Sequence, residues 1–555
     1  MSVRETTDPY EIRTGAHQSQ QDFYTYLSVC HDPVRTVYTV RGKTCHKNNQ
    51  IALGKFKNAV NKTGWGIFEV ETFSNYSEEL QAYSAGLAEG ILTKELIHYH
   101  RLNTIEELCK DDKAFCKRLY SYLQENLDWI KKTAIQAPAD QYWKQVNLTF
   151  AQLSGIYHGY LRKHIFHFKP AIEFRITPIY MLQLSGELID LSKFFNKTKG
   201  YLTEIDAGKC SGFIKITEKN EDLLFAHVAM SGYNTMNRIL KIYKFGFNSS
   251  KFPGNTFSFS GYPGALASLD DFVLINSGLA VMETTISIFN AELYSEKYIK
   301  PQKQLHCWLR SIIANSLAST ASEWVKIFAK YNSGTYNNQW TVLDYKMFKP
   351  GQSLPSKNMI WVLEQVPGYV SAQDITSLFK QQRYWPSYNI PYLKDVQKMS
   401  GFEDKGKQYD WYNYDNCPRA KIFRRDHIFV KDTQTLQKLM RYNDYTHEEF
   451  SRCKCNPPYT AEASISTRGD LNPSNGTYEL AAMGHRNHGA IDYKGTNYTL
   501  FKRLAFNAWG GPTYDPLPVF SWETTDIVEN HYGQPTTWNF KPIQIRWESE
   551  VKVDV

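Results

Sequence analysis

From about residue 77 to 167 the apolar positions recur every three or four residues, as in "SEELQAYSAGLAEGILTKELIHYH" and "TIEELCKDDKAFCKRLYSYLQENLDWIKK". That period predicts amphipathic helices. The stretch 186–199 is polar and lysine-rich around "FFNKTKG", which predicts an exposed loop. Beyond it the pattern shortens to alternation. "CSGFIKIT", "DLLFAHVAM", "NTFSFSGYP", "FVLINSGLAVMETTISIFN", "WTVLDYKMF" and "MIWVLEQVPGYV" all read as strands. Between them "HCWLRSIIANSLASTASEWVKIFAKYNSG" returns to helical spacing and ends at a glycine. Groups of strands flanked by helices predict a layered α+β architecture. No internal repeat or long linker divides the chain.

The segment around residue 210 carries the most specific expectation. "CSGFIKIT" alternates, "EKNED" makes a turn, and "LLFAHVAM" returns, so residues 210–230 predict a β-hairpin. A turn centred near Lys219 and Asn220 pairs positions whose numbers sum to about 439. Gly212 then faces His227, and Cys210 faces Ala229. Cys210 and His227 become diagonal neighbours on one face, within reach of polar side chains. Gly212 would remove a side chain that crowds the histidine. A register shifted by one residue would separate the two onto opposite faces. A buried structural thiol is the plainer alternative at Cys210.

Composition narrows the class. Of 555 residues, 42% are hydrophobic and 15% aromatic, enough for a large core and too apolar for a disordered chain. Lys and Arg number 64 against 56 Asp and Glu, a mild net charge of +8. No basic cluster is dense enough for a nucleic-acid groove, and charges interrupt every apolar run, so no transmembrane helix is expected. The start, "MSVRETTDPYEIRTG", lacks the apolar stretch of a secretory signal and by itself implies the cytosol. Seven Asn-x-Ser/Thr acceptors, at Asn61, Asn75, Asn147, Asn196, Asn248, Asn475 and Asn497, point instead to the secretory route. Nine cysteines are an odd number and too few for a disulfide scaffold. Seven residues of straight helix span about 10 Å, so Cys109 and Cys116 can bridge only if "KDDKAF" breaks the helix. Cys453 and Cys455 are so close that a bridge between them would be strained.

Other motifs carry less. "AYSAG" would make Ser84 a hydrolase nucleophile only on a strand–turn–helix elbow, and "SEELQ" before it is helical. His164 with His167, and His485 with His488, have metal-like spacing but no carboxylate or cysteine at ligand distance in sequence. No metal and no cofactor is expected.

Several longer segments together carry a resemblance. These are "GKCSGFIKI", "DLLFAHVAMSGYNTMNRILKIYKF", "GYPGALASLDDFVLINSGLAVMETT", "YNSGTYNNQW", "YWPSYNIPY", "PRAKIFRRD", "MRYNDY" and "RGDLNP". In this order, from about residue 60 to 547, the chain resembles the phospholipase B-like proteins, relatives of the lamina-ancestor family. The resemblance implies an N-terminal nucleophile hydrolase fold, an αββα sandwich of two stacked antiparallel sheets with helical elaborations. It implies self-cleavage at the Lys209–Cys210 bond. Residues 1–209 would form a largely helical N-terminal fragment ending in a linker, and residues 210–555 the catalytic fragment, together one domain. The freed α-amine, with an ordinary pKa of about 7.7 to 8.0, would serve as base for the Cys210 thiol. Carried over position by position, His227 lies near the nucleophile, Thr285 lines the pocket, Asn389 donates to the oxyanion and Arg419 binds or orients nearby.

The resemblance further implies a hydrolase removing acyl chains from phospholipids, located in the lysosome or secreted. The mature form would be two associated chains that can pair into a homodimer. An amidase acting on N-acyl lipids or peptides, and a self-cleaving protein with little turnover, are its alternatives. Two departures stand out. Val228-Ala229-Met230 follows the histidine where the family favours a polar residue and then Thr-Trp, which would loosen the pocket wall. Cys453 and Cys455 stand one residue closer than the family's paired cysteines.

Overall fold

The computed structural model describes residues 23–34, 36–45, 49–162, 167–197 and 210–555. Among these residues, two sheets stack face to face. The larger has twelve strands. From edge to edge they are Tyr369–Asp374, Ile360–Val366, Asn338–Asp344, Leu279–Thr285, Phe272–Ile275, Thr256–Gly261, Ile239–Lys244, Trp65–Thr72, Gln50–Ala59, Thr25–Asp32, Thr36–Arg41 and His167–Phe168. Neighbours run antiparallel except Trp65–Thr72 and Ile239–Lys244, which are parallel. The smaller sheet has seven strands. Tyr384–Ser387, Cys210–Ile216, Leu223–Ser231, Asp492–Thr496, Asn507–Gly510 and Ile543–Gln544 lie in that order, and Gly489–Ala490 also pairs with Leu223–Ser231.

Among the described residues, three of the four apolar cores lie between four layers. Between the sheets, Ile214, Ile216 and Phe225 meet Ile67, Phe272, Leu274 and Met282. On the outer face of the small sheet, Phe213, Ala226 and Val228 pack on Phe423 and Leu436, from helices Pro418–Asp426 and Thr433–Met440. On the outer face of the large sheet, Val70, Tyr243 and Val281 belong to a core shared with helices Glu78–Leu92, Gln141–Leu161 and Cys307–Leu317. Alternate positions of the central strands are thus buried on both faces, which is why "CSGFIKI" is apolar throughout. The molecule is α+β, as expected.

The helical stretch begins where its caps stand. Ser77 accepts from the Leu80 amide, and Asp112 and Asp140 cap helices Lys113–Gln136 and Gln141–Leu161. Helices Glu78–Leu92 and Gln141–Leu161 approach through glycines. A β-carbon on Gly86 would lie 1.9 Å from the Gln152 carbonyl oxygen, and one on Gly155 would lie 2.1 Å from that of Tyr83. Ser84 is buried inside this first helix, on no strand–turn–helix elbow.

Three differences from the sequence pattern have physical causes. The expected loop at 186–199 is instead a helix over Glu187–Phe194, with Leu188 and Leu191 in the core. Its acidic residues look solvent-directed in the sequence, yet Glu187 bonds Thr335 and Asp190 bonds Tyr294. Four strands precede residue 77, and the helical run ends at Leu161, with His167–Phe168 pairing as a strand. The chain does break its helix between Thr104 and Lys113, and Cys109 bridges Cys116 with Cα atoms 5.7 Å apart. Cys453 also bridges Cys455, and an unanticipated bridge joins Cys30 to Cys45. No described helix is long and apolar enough to cross a membrane.

The glycine crossing sets a stability expectation. Gly86→Ala forces a methyl into a backbone carbonyl that cannot rotate away, at a cost of about 3 kcal/mol or more. Thermal unfolding should show the loss; an unchanged midpoint would mean that the helices separate without penalty.

Candidate functional site

The hairpin at residue 210 has the expected register. Cys210 pairs with Ala229 and Gly212 with His227. Lys219 and Asn220 make the turn in the left-handed region, with φ of 52° and 57°. Cys210 and His227 therefore share the face that looks into the inter-sheet core. Gly212 has a different job from the expected one. A β-carbon there would meet the Met282 sulfur at 2.9 Å, so the missing side chain makes room for a thioether of the large sheet rather than for His227.

Cys210 is held at both ends of its backbone. Its amide N–H donates to Asn389 Oδ1 at 3.4 Å, and its carbonyl accepts from Arg419 Nη1 at 2.7 Å. Arg419 Nη2 donates to the Tyr388 carbonyl at 2.8 Å. Asn389 Nδ2 in turn donates to the Thr285 carbonyl at 2.9 Å. Asn389 reaches this position because Tyr384–Ser387 pairs with the cysteine strand, and the chain then turns at Asn389 with φ of 69°. Arg419 projects from the first turn of its helix. Thr285 ends the strand Leu279–Thr285, and its Oγ1 is buried without a hydrogen-bond partner. One chain of hydrogen bonds so joins Cys210, Asn389, Arg419 and Thr285. Lys209 lies outside the described residues.

His227 is fully buried, and its Nε2 lies 2.9 Å from the Glu283 carbonyl oxygen. A carbonyl can only accept, so Nε2 carries the proton. Burial and then the Lys494 ammonium push this imidazole well below its usual range, so it is neutral and Nδ1 bears a lone pair. Nδ1 has no hydrogen-bond partner. Burial and then the Glu283 carboxylate push the Cys210 thiol well above its ordinary range. In the continuous chain the thiol is therefore protonated and a poor nucleophile.

Cys210 lines a cavity of about 290 Å³ with Leu188, Ala229, Met230, Tyr262 and Tyr336 among its walls. Of the three residues that depart from the family pattern, Ala229 and Met230 touch this space. Val228 does not: it faces the outer helical layer.

Residues unmarked in the sequence complete the surroundings. Tyr336 donates to Asp271 and to Glu283 Oε1, the latter at 2.8 Å. Asp492, Lys494, Arg238 and Asp270 form a buried ionic group beside the hairpin. In sequence "IDYKG" sets two charges at alternate positions, the pattern of a strand's solvent face, yet both Asp492 and Lys494 are buried. The histidine pairs have protein partners. His488 Nδ1 lies 2.9 Å from Glu462 Oε1, and His485 Nε2 lies 3.1 Å from Asp526 Oδ1. His167 stands 3.9 Å from Asp32, while His164 lies outside the described residues. Among the described residues no cluster of three His, Cys, Asp or Glu side chains could hold a metal ion. Of the glycan acceptors, Asn61, Asn75, Asn196, Asn248 and Asn475 are exposed, whereas Asn147 and Asn497 are partly buried. Asn497 caps a helix and donates to Asp222.

A family model described as phospholipase B matches residues 52–545. Phospholipase B-like 3 of Caenorhabditis elegans is 51% identical over 555 residues, covering 99% of this chain and 95% of the relative. Phospholipase B-like 2 of Homo sapiens is 42% identical over 512 residues, covering 90% and 86%. Phospholipase B-like protein B of Dictyostelium discoideum is 34% identical over 518 residues, covering 90% and 86%.

The grip on Cys210 makes a prediction independent of any reaction. Arg419→Lys replaces the planar fork, whose two η nitrogens each hold one carbonyl, with a single ammonium nitrogen and so weakens the grip; each such charge-assisted bond contributes about 1.5–3 kcal/mol. Denaturant unfolding should register a loss of that size, larger for Arg419→Ala. Equal stability of all three proteins would show that the guanidinium holds nothing.

Proposed function

The chain belongs to the phospholipase B family, and from that membership we propose that it is a hydrolase that uses Cys210 to remove fatty acyl chains from glycerophospholipids. The observation that carries this is the double grip on Cys210. A strand residue fixed at both N and O, with its thiol against a partly apolar cavity, is built to keep a sulfur atom in one place. The stacked sheets with helices outside support assignment to the N-terminal nucleophile hydrolases, with residues 1–209 and 210–555 as the two mature pieces of one domain.

Maturation begins with attack of Cys210 Sγ on the carbonyl carbon of Lys209. The Lys209 carbon–nitrogen bond breaks as the carbon–sulfur bond forms, and the thiol proton passes to the Cys210 nitrogen, so the amide becomes a thioester and the nitrogen an amine. Water then hydrolyses the thioester, leaving a carboxylate on Lys209 and a free thiol beside the new amine. The buried, protonated thiol now has a base on its own residue, and Asn389 Oδ1 is placed to keep that nitrogen oriented. In turnover the amine takes the thiol proton as sulfur attacks the ester carbonyl. The tetrahedral oxyanion accepts from the second N–H of Asn389 Nδ2, the first being bound to Thr285. Collapse expels the alcohol, which receives the proton from the amine, and water releases the fatty acid. His227 and Thr285 close the site from the hairpin and from the large sheet. Three disulfides and five exposed acceptor asparagines support passage through an oxidising secretory compartment, to a lysosomal or extracellular destination.

Expressed through that route, the protein should run as two associated fragments, the larger beginning at Cys210, and glycosidase should shift their mobility. Cys210→Ala should stay one chain. Purified cleaved protein should release fatty acid from diacyl phospholipids, and the Cys210→Ala control should not. Release from N-acyl substrates alone would move the activity to amides, and release from neither would leave a self-cleaving protein without turnover.

Asn389→Ala tests the oxyanion role. Loss of one such donor costs about 2.7–4 kcal/mol, or a hundred- to a thousandfold. In cleaved material the loss should fall on kcat with KM little changed. If kcat stays within about threefold, near 0.65 kcal/mol, Asn389 only shapes the backbone.

A further inference from the structure

Beside the cysteine–histidine face lie four charged side chains that the mechanism above leaves unused. Arg238 Nη2 donates to Asp492 Oδ2 at 2.6 Å and also bonds Asp270. Lys494 Nζ donates to both oxygens of Asp492 at 2.9 Å and stands 3.8 Å from Asp270. None of the four is more than 1% exposed. Arg238 lies between the rings of Trp65 and Tyr262, 4.9 and 4.8 Å from their centroids. Two cations and two carboxylates balance, so the group could be a plain structural fastener. Its placement argues for more. Lys494 pairs directly with His227 across the sheet, so both side chains leave on one face with β-carbons about 5 Å apart. Asp492 Oδ1 accepts from the Ala229 amide at 2.9 Å, and Ala229 is the cross-strand partner of Cys210.

We infer that Lys494 is a positioning residue for His227: its ammonium, anchored on Asp492, keeps the facing imidazole neutral, with Nε2–H on the Glu283 carbonyl and Nδ1 left as an acceptor. The inference rests on the proposal that Cys210 and His227 share a reactive site. Its physics is like-charge exclusion. A proton on His227 would place a second cation opposite a buried lysine, where little water screens the pair. Titratable and charged groups surround the imidazole from each neighbouring element. The neutral Cys210 thiol comes from its own hairpin, Lys494 and Asp492 from the adjacent strand, Arg238, Asp270 and Asp271 from turns of the large sheet, and Glu283 from the facing strand. Burial pulls Lys494 itself down to about 8 against the pull of Asp492, which leaves it charged at neutral and acidic pH. The sign of its removal is unambiguous. Deleting the ammonium ends the repulsion and leaves Asp492 less neutralised, and both effects raise the proton affinity of His227.

The test reads protonation, not turnover. Isotope-labelled histidine in the full-length protein reports the His227 ring by NMR from about pH 5 to pH 8, with the signal assigned by its loss in His227→Gln. The wild-type ring should stay neutral in the Nε2–H form throughout. In Lys494→Met its titration midpoint should rise by about one unit or more, a tenfold change in proton affinity, and Lys494→Arg should restore the wild-type profile. Should the Met variant fail to fold, Lys494→Gln, which can still bond Asp492, carries the same expectation. An imidazolium in the wild-type protein near the middle of that range, or an unmoved midpoint in the folded variant, overturns the inference. A chain that lacks hydrolase activity but shows the shift would refute the proposed function and leave the inference standing.

Discussion

Two hydrogen bonds to the backbone of one residue organise this molecule: Asn389 accepts from the amide of Cys210, and Arg419 holds its carbonyl. The first residue of a strand ordinarily frays, because half its backbone groups face no partner. Here each bond comes from a different layer. Asn389 belongs to the turn after a strand of the small sheet, Arg419 to the outer helices, and Thr285, which anchors Asn389, to the large sheet. Sheet stacking, the hairpin register and the helical cover must all be in place before the sulfur has a fixed position. The site is a property of the whole sandwich rather than of a loop on it.

The polar group between the sheets follows from the same demand. Buried ion pairs seldom add stability over an apolar filling of the same volume, because desolvation consumes the gain. What they add is direction. Arg238 and Asp270 flank strands of the large sheet, while Asp492 and Lys494 stand on the small one. Here paired charges of fixed geometry join the two sheets, and the cross-strand neighbours Ala229 and His227 are tied to them.

The hairpin was legible in the sequence because its information is local. "EKNED" fixes the turn, and the turn fixes every pair from Cys210 to Ala229. The helices between 78 and 161 were legible through their period and their Ser and Asp caps. The helix Glu187–Phe194 was hidden because its acidic side chains find partners 148 and 104 residues away, at Thr335 and Tyr294. No local pattern carries such a pairing. The same holds for Lys494, which looks like the solvent side of a strand until the strand is seen to be covered on both faces. Cys210, His227, Thr285, Asn389 and Arg419 were named through family resemblance, and only the placing of Cys210 and His227 on one face came from pattern.

The three disulfides close loops of 15, 7 and 2 residues. Cys30–Cys45 and Cys109–Cys116 lie wholly before residue 210, and Cys453–Cys455 lies wholly after it. The other three cysteines are buried and unbridged. No covalent crosslink therefore spans the Lys209–Cys210 junction, although strands from both sides of it are neighbours in the large sheet. The bridges act as local fasteners that tighten turns and bear no load between the two halves. The seam between those halves is held by one pair of neighbouring strands, by the shared helical core and by buried hydrogen bonds such as Lys241 to Glu89, so its strength would depend on solvent conditions and not on redox potential.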